Sequence, residues 1–109
     1  MAVAALSERI RAYLGDRPGL VEKKMFGSIA FMLHGNMVVA PMNTGNLLVR
    51  VGKAGQAEAL ARPGAAIMSM GGRSMSGFID VDAGAIEDDD ALAGWIDIAL
   101  AFVRSLPPK

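Results

Sequence analysis

Three short apolar runs follow one another through the middle of the chain, and each is bounded by a connector that contains glycine or asparagine. The runs are residues 29–33, 37–42 and 47–51, and the connectors between them are residues 34–36 and 43–46. Connectors this short only allow the chain to turn back beside itself, so neighbouring strands must be antiparallel. The pattern therefore predicts a three-stranded meander at the centre of the fold.

The residues that precede the meander predict a helix followed by an edge strand. Apolar residues recur there at three- and four-residue steps, which places them on one face of a helix, while charged residues between them point to water. That apolar face consists of Val3, Leu6, Ile10, Tyr13 and Leu14. Gly15 ends the helix, and residues 16–19 form a turn around a proline. Leu20 and Val21 lead into residues 22–26, whose two lysines are typical of a short, exposed edge strand.

The residues that follow the meander predict a short helix, a hairpin and a long last helix. The short helix spans residues 54–61, and strands at 66–70 and 77–82 pair around two glycines. The last helix begins near residues 88–90, whose carboxylates are expected to cap its N-terminus. Its apolar stripe consists of Leu92, Trp95, Ile96, Ala99, Leu100, Val103 and Leu106. We therefore predict a two-layer α+β fold with the order α-β-β-β-α-β-β-α, in which Trp95 packs against the meander.

The meander is apolar on both of its faces, because residues 29–33 do not alternate with polar positions. A second apolar face needs its own cover, either from helices on both sides of the sheet or from a second copy of the chain. We predict a homodimer with two-fold symmetry, since methionine side chains adapt to imperfect contact surfaces. The positions expected at its contact are Met32, Met37, Val39 and Met42. The alternative is that all four are core residues.

Composition limits the kinds of site that the chain can hold. At 109 residues the chain is long enough for one core and one domain. The sequence contains no cysteine and one histidine, which excludes disulfides and Cys-ligated clusters and argues against a metal site built from histidines. No apolar run approaches the roughly 20 residues that cross a bilayer, and the first residues lack a secretory signal pattern. We expect a cytoplasmic protein without a metal or other cofactor.

Charge is balanced over the whole chain but divided between its halves. Residues 1–53 carry seven Lys or Arg against three Asp or Glu, and residues 54–109 carry four against eight. This polarity is compatible with an anionic partner or head-to-tail association, and equally with ordinary solubility. A basic surface for nucleic acid could form if the hairpins bring together Lys23, Lys24, Arg50 and Arg73. No aromatic stacking array accompanies these residues, because Phe26 and Phe78 are expected in the core.

Other polar residues are candidates for chemistry, and each has a plainer structural interpretation. His34 lies in a predicted hairpin turn and has no identifiable partner to orient it as a general base. Asp80, Asp82 and residues 87–90 are hard-cation ligands by type, but they lack the order of a calcium loop. Gly71, Gly72 and Arg73 lead into a strand rather than a helix, so they favour a turn over a phosphate site. The sequence thus nominates no catalytic residue.

Several short strings of the sequence resemble the N-terminal domain of the TfoX/Sxy family. They are residues 23–27 (KKMFG), 35–37 (GNM), 48–52 (LVRVG), 60–64 (LARPG), Gly72-Arg73 with Met75 and Gly77, and 102–109 (FVRSLPPK). The resemblance extends over nearly the whole chain and implies the two-layer α+β fold of that family. It implies a bacterial protein and supplies no catalytic residues.

Two function classes follow from the residues and the resemblance together. The first is a non-enzymatic regulatory or protein-interaction module, similar to the N-terminal domain of competence regulators, whose apolar sheet binds itself or another protein. The second is a nucleic-acid-associated protein that uses the basic residues. We favour the first class because the chain has no net positive charge.

Overall fold

A computed structural model describes residues 2–25 and 28–108 of the chain. Within them, the three helices are α1 (Ala2–Leu14), α2 (Gly52–Leu60) and α3 (Asp89–Arg104), and a short 3₁₀ helix spans Ala83–Ile86. The six strands are β1 (Leu20–Met25), β2 (Ser28–Leu33), β3 (Asn36–Pro41), β4 (Leu47–Arg50), β5 (Ala65–Met70) and β6 (Arg73–Val81). The predicted α+β fold and element order are confirmed, with the edge strand β1 in front of the meander. The core position expected for Phe26 lies outside the described residues.

The six strands form one antiparallel sheet in the order β1-β2-β3-β4-β6-β5. After β4 the chain leaves the sheet through α2 and returns at the outer edge as β5, and β6 then pairs with both β5 and β4. The register shifts once between β2 and β3 and once between β5 and β6. Such irregularities increase the local twist of a sheet, so this sheet is bent rather than flat.

All three helices contribute to the core on one face of the sheet. Six of the seven residues predicted for the apolar stripe of α3 are buried there with the inward side chains of the strands, whereas Leu106 lies beyond the end of α3 and is only half-buried. Trp95 belongs to this core and is 4% exposed, and α3 contacts both β3 and β4. Its expected burial is therefore confirmed, and the helix that carries it packs against two strands of the meander.

The turn between β2 and β3 shows why the meander forms where the sequence places it. His34 and Gly35 both have positive φ, at 51° and 85°. Two successive residues with positive φ are the requirement of a type I′ turn, whose twist matches that of the flanking strands. The exposed His34 is thus a turn residue, as expected.

Several local expectations are corrected by the structure. Tyr13 is not on the buried face of α1, because it is 40% exposed and its hydroxyl donates to Asp97 Oδ1 at 2.6 Å. Asp88 precedes α3 but its side chain caps no amide, whereas Asp82 caps the 3₁₀ helix by accepting from the Gly84 N–H at 2.9 Å. The short helix begins at Gly52 instead of residue 54, and the last strand begins at Arg73 instead of residue 77.

Candidate interaction surface

The second face of the sheet is lined by methionine. Six of the eight methionines belong to one apolar cluster on this face, together with Ala30, Ala40, Leu48 and Phe78. They are Met25, Met32, Met37, Met42, Met68 and Met75. No helix of the described residues contributes to this cluster, so we call it the methionine face. The expectation of helices on both sides of the sheet is not met.

Strand pairing explains how these residues come to share a face. Residues directly opposite each other in neighbouring antiparallel strands point to the same side. Met32 lies opposite Met37, and Ala40 lies opposite Leu48. Their chain neighbours, such as Val39 and Val49, point into the helix-covered core. The continuous apolar runs of the sequence thus supply two separate apolar faces.

The methionine face is concave. The edge strands of a flat six-stranded sheet would stand roughly 24 Å apart. Met25 from β1 and Met68 from β5 nevertheless line the same cavity, whose volume is about 190 Å³. The sheet must therefore curl toward this face and bring its two edges together.

A second cavity of about 270 Å³ adjoins the first and shares Met25 and Leu48 with it. Its wall also contains Arg50, the last residue of β4. The guanidinium carbon of Arg50 lies 5.7 Å from the centre of the Phe78 ring and 5.5 Å from that of Phe102. One cation therefore stands beside two aromatic rings at the end of an apolar groove.

The four positions predicted for self-association do not share one surface. Met32 and Met42 are half-buried on the methionine face, and Met37 belongs to the same cluster but is almost fully buried. Val39 is instead 0% exposed in the helix-covered core, because its side chain points away from the methionine face. Val39 is thus a core residue, which corrects the expectation that it lies at a contact surface.

The four basic residues are not brought together. Lys23 lies opposite Ala30 and points to the methionine face, whereas Lys24 lies opposite Ile29 and points to the helical side. Arg73 is on β6, four strands from β1 in the order of the sheet. The basic surface considered from the sequence therefore does not include all four residues, since the alternation of side chains along β1 separates Lys24 from Lys23.

Three of the acidic side chains considered as cation ligands have a partner within the described residues, and one of them, Asp82, accepts from the Gly84 N–H at 2.9 Å. Asp80 accepts from Asn46 Nδ2 at 3.0 Å, and Asp89 pairs with Arg9 at 2.9 Å. Across residues 2–25 and 28–108, no three acidic or histidine side chains are grouped as a metal site would require. Gly71 and Gly72 form the β5–β6 hairpin turn, as predicted.

The clear pKa shifts belong to polar pairs that connect surface elements on the helical side. Arg11 Nε donates to Glu22 Oε2 at 2.6 Å, and this bond lowers the pKa of Glu22 and raises that of Arg11. The hydrogen bond to Asp97, helped by partial burial, raises the pKa of Tyr13. Arg11 and Glu22 fasten α1 to β1, and Tyr13 fastens α1 to α3.

Two features of this surface were not found from the sequence. The place of Arg50 beside two aromatic rings at the end of a groove is seen only once Phe78 and Phe102, distant in sequence, are placed next to it. Val21 lies opposite Met32 at the sheet edge and is 59% exposed, so the apolar surface continues to that edge. The sequence of β1, LVEKKM, has no apolar–polar alternation, so it holds no signal that could have identified Val21.

Comparison with known proteins agrees with this fold. No helix of the described residues is long and apolar enough to cross a membrane. Neither curated proteins nor solved structures provide a match to the chain. The family model of the TfoX N-terminal domain matches residues 12–103 of the 109 residues, a span that runs from the end of α1 to the end of α3. The chain therefore belongs to the TfoX N-terminal domain family.

Proposed function

We propose that the chain is a non-catalytic interaction module of the cytoplasm and that its methionine face binds a second copy of the same chain. The observation that carries this proposal is a six-stranded sheet whose helices cover one face while methionine covers the other. Methionine is flexible and polarisable, so it fits contact surfaces that repack on binding. A regulatory role, as in competence regulators, would be exercised through such contacts.

The edge of the methionine face favours a macromolecular partner. Val21 exposes 59% of its surface in line with Met32, which extends the apolar area beyond the concave groove. A large exposed apolar residue continuous with an apolar patch is typical of a protein contact surface. The partner must therefore be large enough to reach from the groove to β1.

Charge positions on the same face are compatible with a second copy. Lys23 on β1 and Asp80 on β6 both point to this face, near opposite edges of the sheet. A two-fold axis parallel to the strands would place the β1 edge of one copy over the opposite edge of the other. Unlike charges would then approach each other, and closed two-fold pairs are the commonest soluble oligomers.

Sedimentation of the unmodified chain tests the proposal directly. We expect a concentration-dependent species heavier than the 11.4 kDa monomer. A single 11.4 kDa species that persists at high micromolar concentration would rule out the dimer.

A charge introduced at Val21 tests the surface without disturbing the core. Because Val21 is exposed, Val21→Glu should leave the monomer folded while it weakens association. The matched control is Lys24→Glu on the same strand. It changes the net charge by more than Val21→Glu does, but its side chain points away from the methionine face. Equal weakening by both variants would show that net charge, and not the methionine face, governs association.

A further inference from the structure

The end of the methionine groove combines an apolar wall with one cation. Arg50 lines the cavity of about 270 Å³ with Met37, Met75 and Phe78. Arg50 as a whole is half-buried, and its guanidinium carbon lies within 6 Å of two aromatic ring centres. The rings and the strand limit the positions that this side chain can adopt.

Arg50 has no anionic partner in the part of the chain that the structure describes. The ion pairs found there join Arg9 to Asp89 and Arg11 to Glu8 and Glu22, all distant from the groove. A guanidinium presents several donors in a planar fork that matches a carboxylate, and its charge is poorly satisfied by apolar walls. The ligand group best suited to this end of the groove is therefore a small anion that pairs with the guanidinium.

The rest of the groove is suited to a hydrocarbon chain. From Arg50 the wall continues past Leu48 and Met25 into the cavity of about 190 Å³, which extends to Pro41 and Met42. Each of the two volumes is below the roughly 300 to 1,000 Å³ of typical small-molecule sites, so only a ligand that extends through both cavities would fill such a site. The ligand must be slender, apolar over most of its length and charged at one end.

We propose that the methionine groove binds an aliphatic monocarboxylate of medium chain length, with its carboxylate on Arg50 and its chain along Leu48 and Met25. This inference does not rest on the proposed dimer. Calorimetry counts ligand molecules per chain, whereas sedimentation counts chains per particle, so either proposal can fail alone.

Titration calorimetry with octanoate and octanol tests the assignment. We expect octanoate to bind with one ligand per chain and octanol to bind about tenfold more weakly or worse, because it lacks the charge-assisted contact. Arg50→Gln should weaken the binding of octanoate by a similar factor and leave the binding of octanol unchanged. The matched control is Arg62→Gln, because Arg62 lies 5.7 Å from the Trp95 ring but is outside the groove.

Three results would overturn the proposal. They are no octanoate binding at millimolar concentration, equal affinity for octanoate and octanol, and undiminished octanoate binding by Arg50→Gln. The last two would mean that the aromatic rings hold Arg50 simply as packing.

Methyl resonances of the methionines provide a test that needs no variant. Octanoate should shift the signals of Met25 and Met37, which line the groove. Unchanged methyl signals in the presence of octanoate would contradict the assigned path even if heat is released.

Discussion

At the scale of single residues, Gly77 holds together the junction of β4, α2 and β6. Its N–H donates to Gln56 Oε1 at 2.6 Å, and its carbonyl accepts from the Val51 N–H at 2.8 Å. Its φ is +85°, and a β-carbon added there would lie 3.1 Å from the carbonyl carbon of Gly52. Backbone atoms cannot move aside as a flexible side chain can, so both conformation and space require glycine.

Gly77→Ala should therefore destabilise the fold by about 3 kcal/mol, since left-handed strain and crowding act together. The matched variant is Gly71→Ala, because Gly71 also has positive φ, at +59°, but has open space around it. Gly71→Ala should lower the free energy of unfolding by only about 1 kcal/mol. Urea unfolding of both variants measures the difference, and equal losses would contradict the role assigned to crowding.

Trp95 is the residue whose loss should cost the core most. It is the only tryptophan of the chain and is almost fully buried among α3, the sheet and Arg62. Trp95→Ala should reduce the free energy of unfolding by roughly 3 to 5 kcal/mol, because it leaves a cavity. Trp95→Phe, which refills much of that volume, should lose less. A thermal melt of the alanine variant that overlays the parent would show that the packing is not needed.

At the scale of elements, the contact between α1 and β1 depends on an ion pair that titrates. Arg11 lowers the pKa of Glu22 below its ordinary value of 4.5 in the folded state. A carboxyl with a depressed folded pKa stabilises the fold above its unfolded pKa, and this contribution disappears as the pH falls through the folded pKa. The ion pair of Glu22 therefore stabilises the fold at neutral pH, and this stabilisation is lost in acid.

The wild-type chain should lose more stability than Glu22→Gln when the pH is lowered from neutral to below the ordinary Glu range. The control is Glu58→Gln, because Glu58 is exposed on α2 and forms no ion pair within the described residues. Urea midpoints across the pH series measure the difference. Parallel pH curves for all three proteins would mean that the pair contributes nothing.

The helices and strands were largely predictable from the sequence, whereas the face of the sheet to which each strand residue points was not. Turns such as His34-Gly35 and the spacing around Trp95 are local signals, and local signals locate strands and helices. Val39 was misplaced because a fully apolar run does not tell which residue faces the helices and which faces the other side. The binding role considered for Arg50 depends on neighbours 28 and 52 positions away, which only the strand order brings close.

At the scale of the whole molecule, the distribution of charge argues against nucleic acid. Lys23 and Lys24 point to opposite sides of β1, and the chain carries no net charge. Nucleic-acid binding needs several cations on one surface and depends strongly on salt. The proposed module should accordingly act on apolar partners.

We expect no measurable binding of double-stranded DNA near physiological salt. A fluorescence titration at several salt concentrations measures this, with Lys23→Ala and Lys24→Ala combined in one variant for comparison. Micromolar affinity that falls in this variant, together with a flatter salt dependence, would restore the nucleic-acid alternative.

The methionine face also makes one side of the molecule sensitive to oxidation. Peroxide converts a thioether into a sulfoxide, which is polar and chiral, and specific reductases reverse the change. Six thioethers lie together on one side of the sheet, while the helix-covered core on the other side contains none among its described members. Mild oxidant would therefore make the exposed part of this face more hydrophilic and leave the helix-covered core chemically intact, so the proposed binding should be lost before stability.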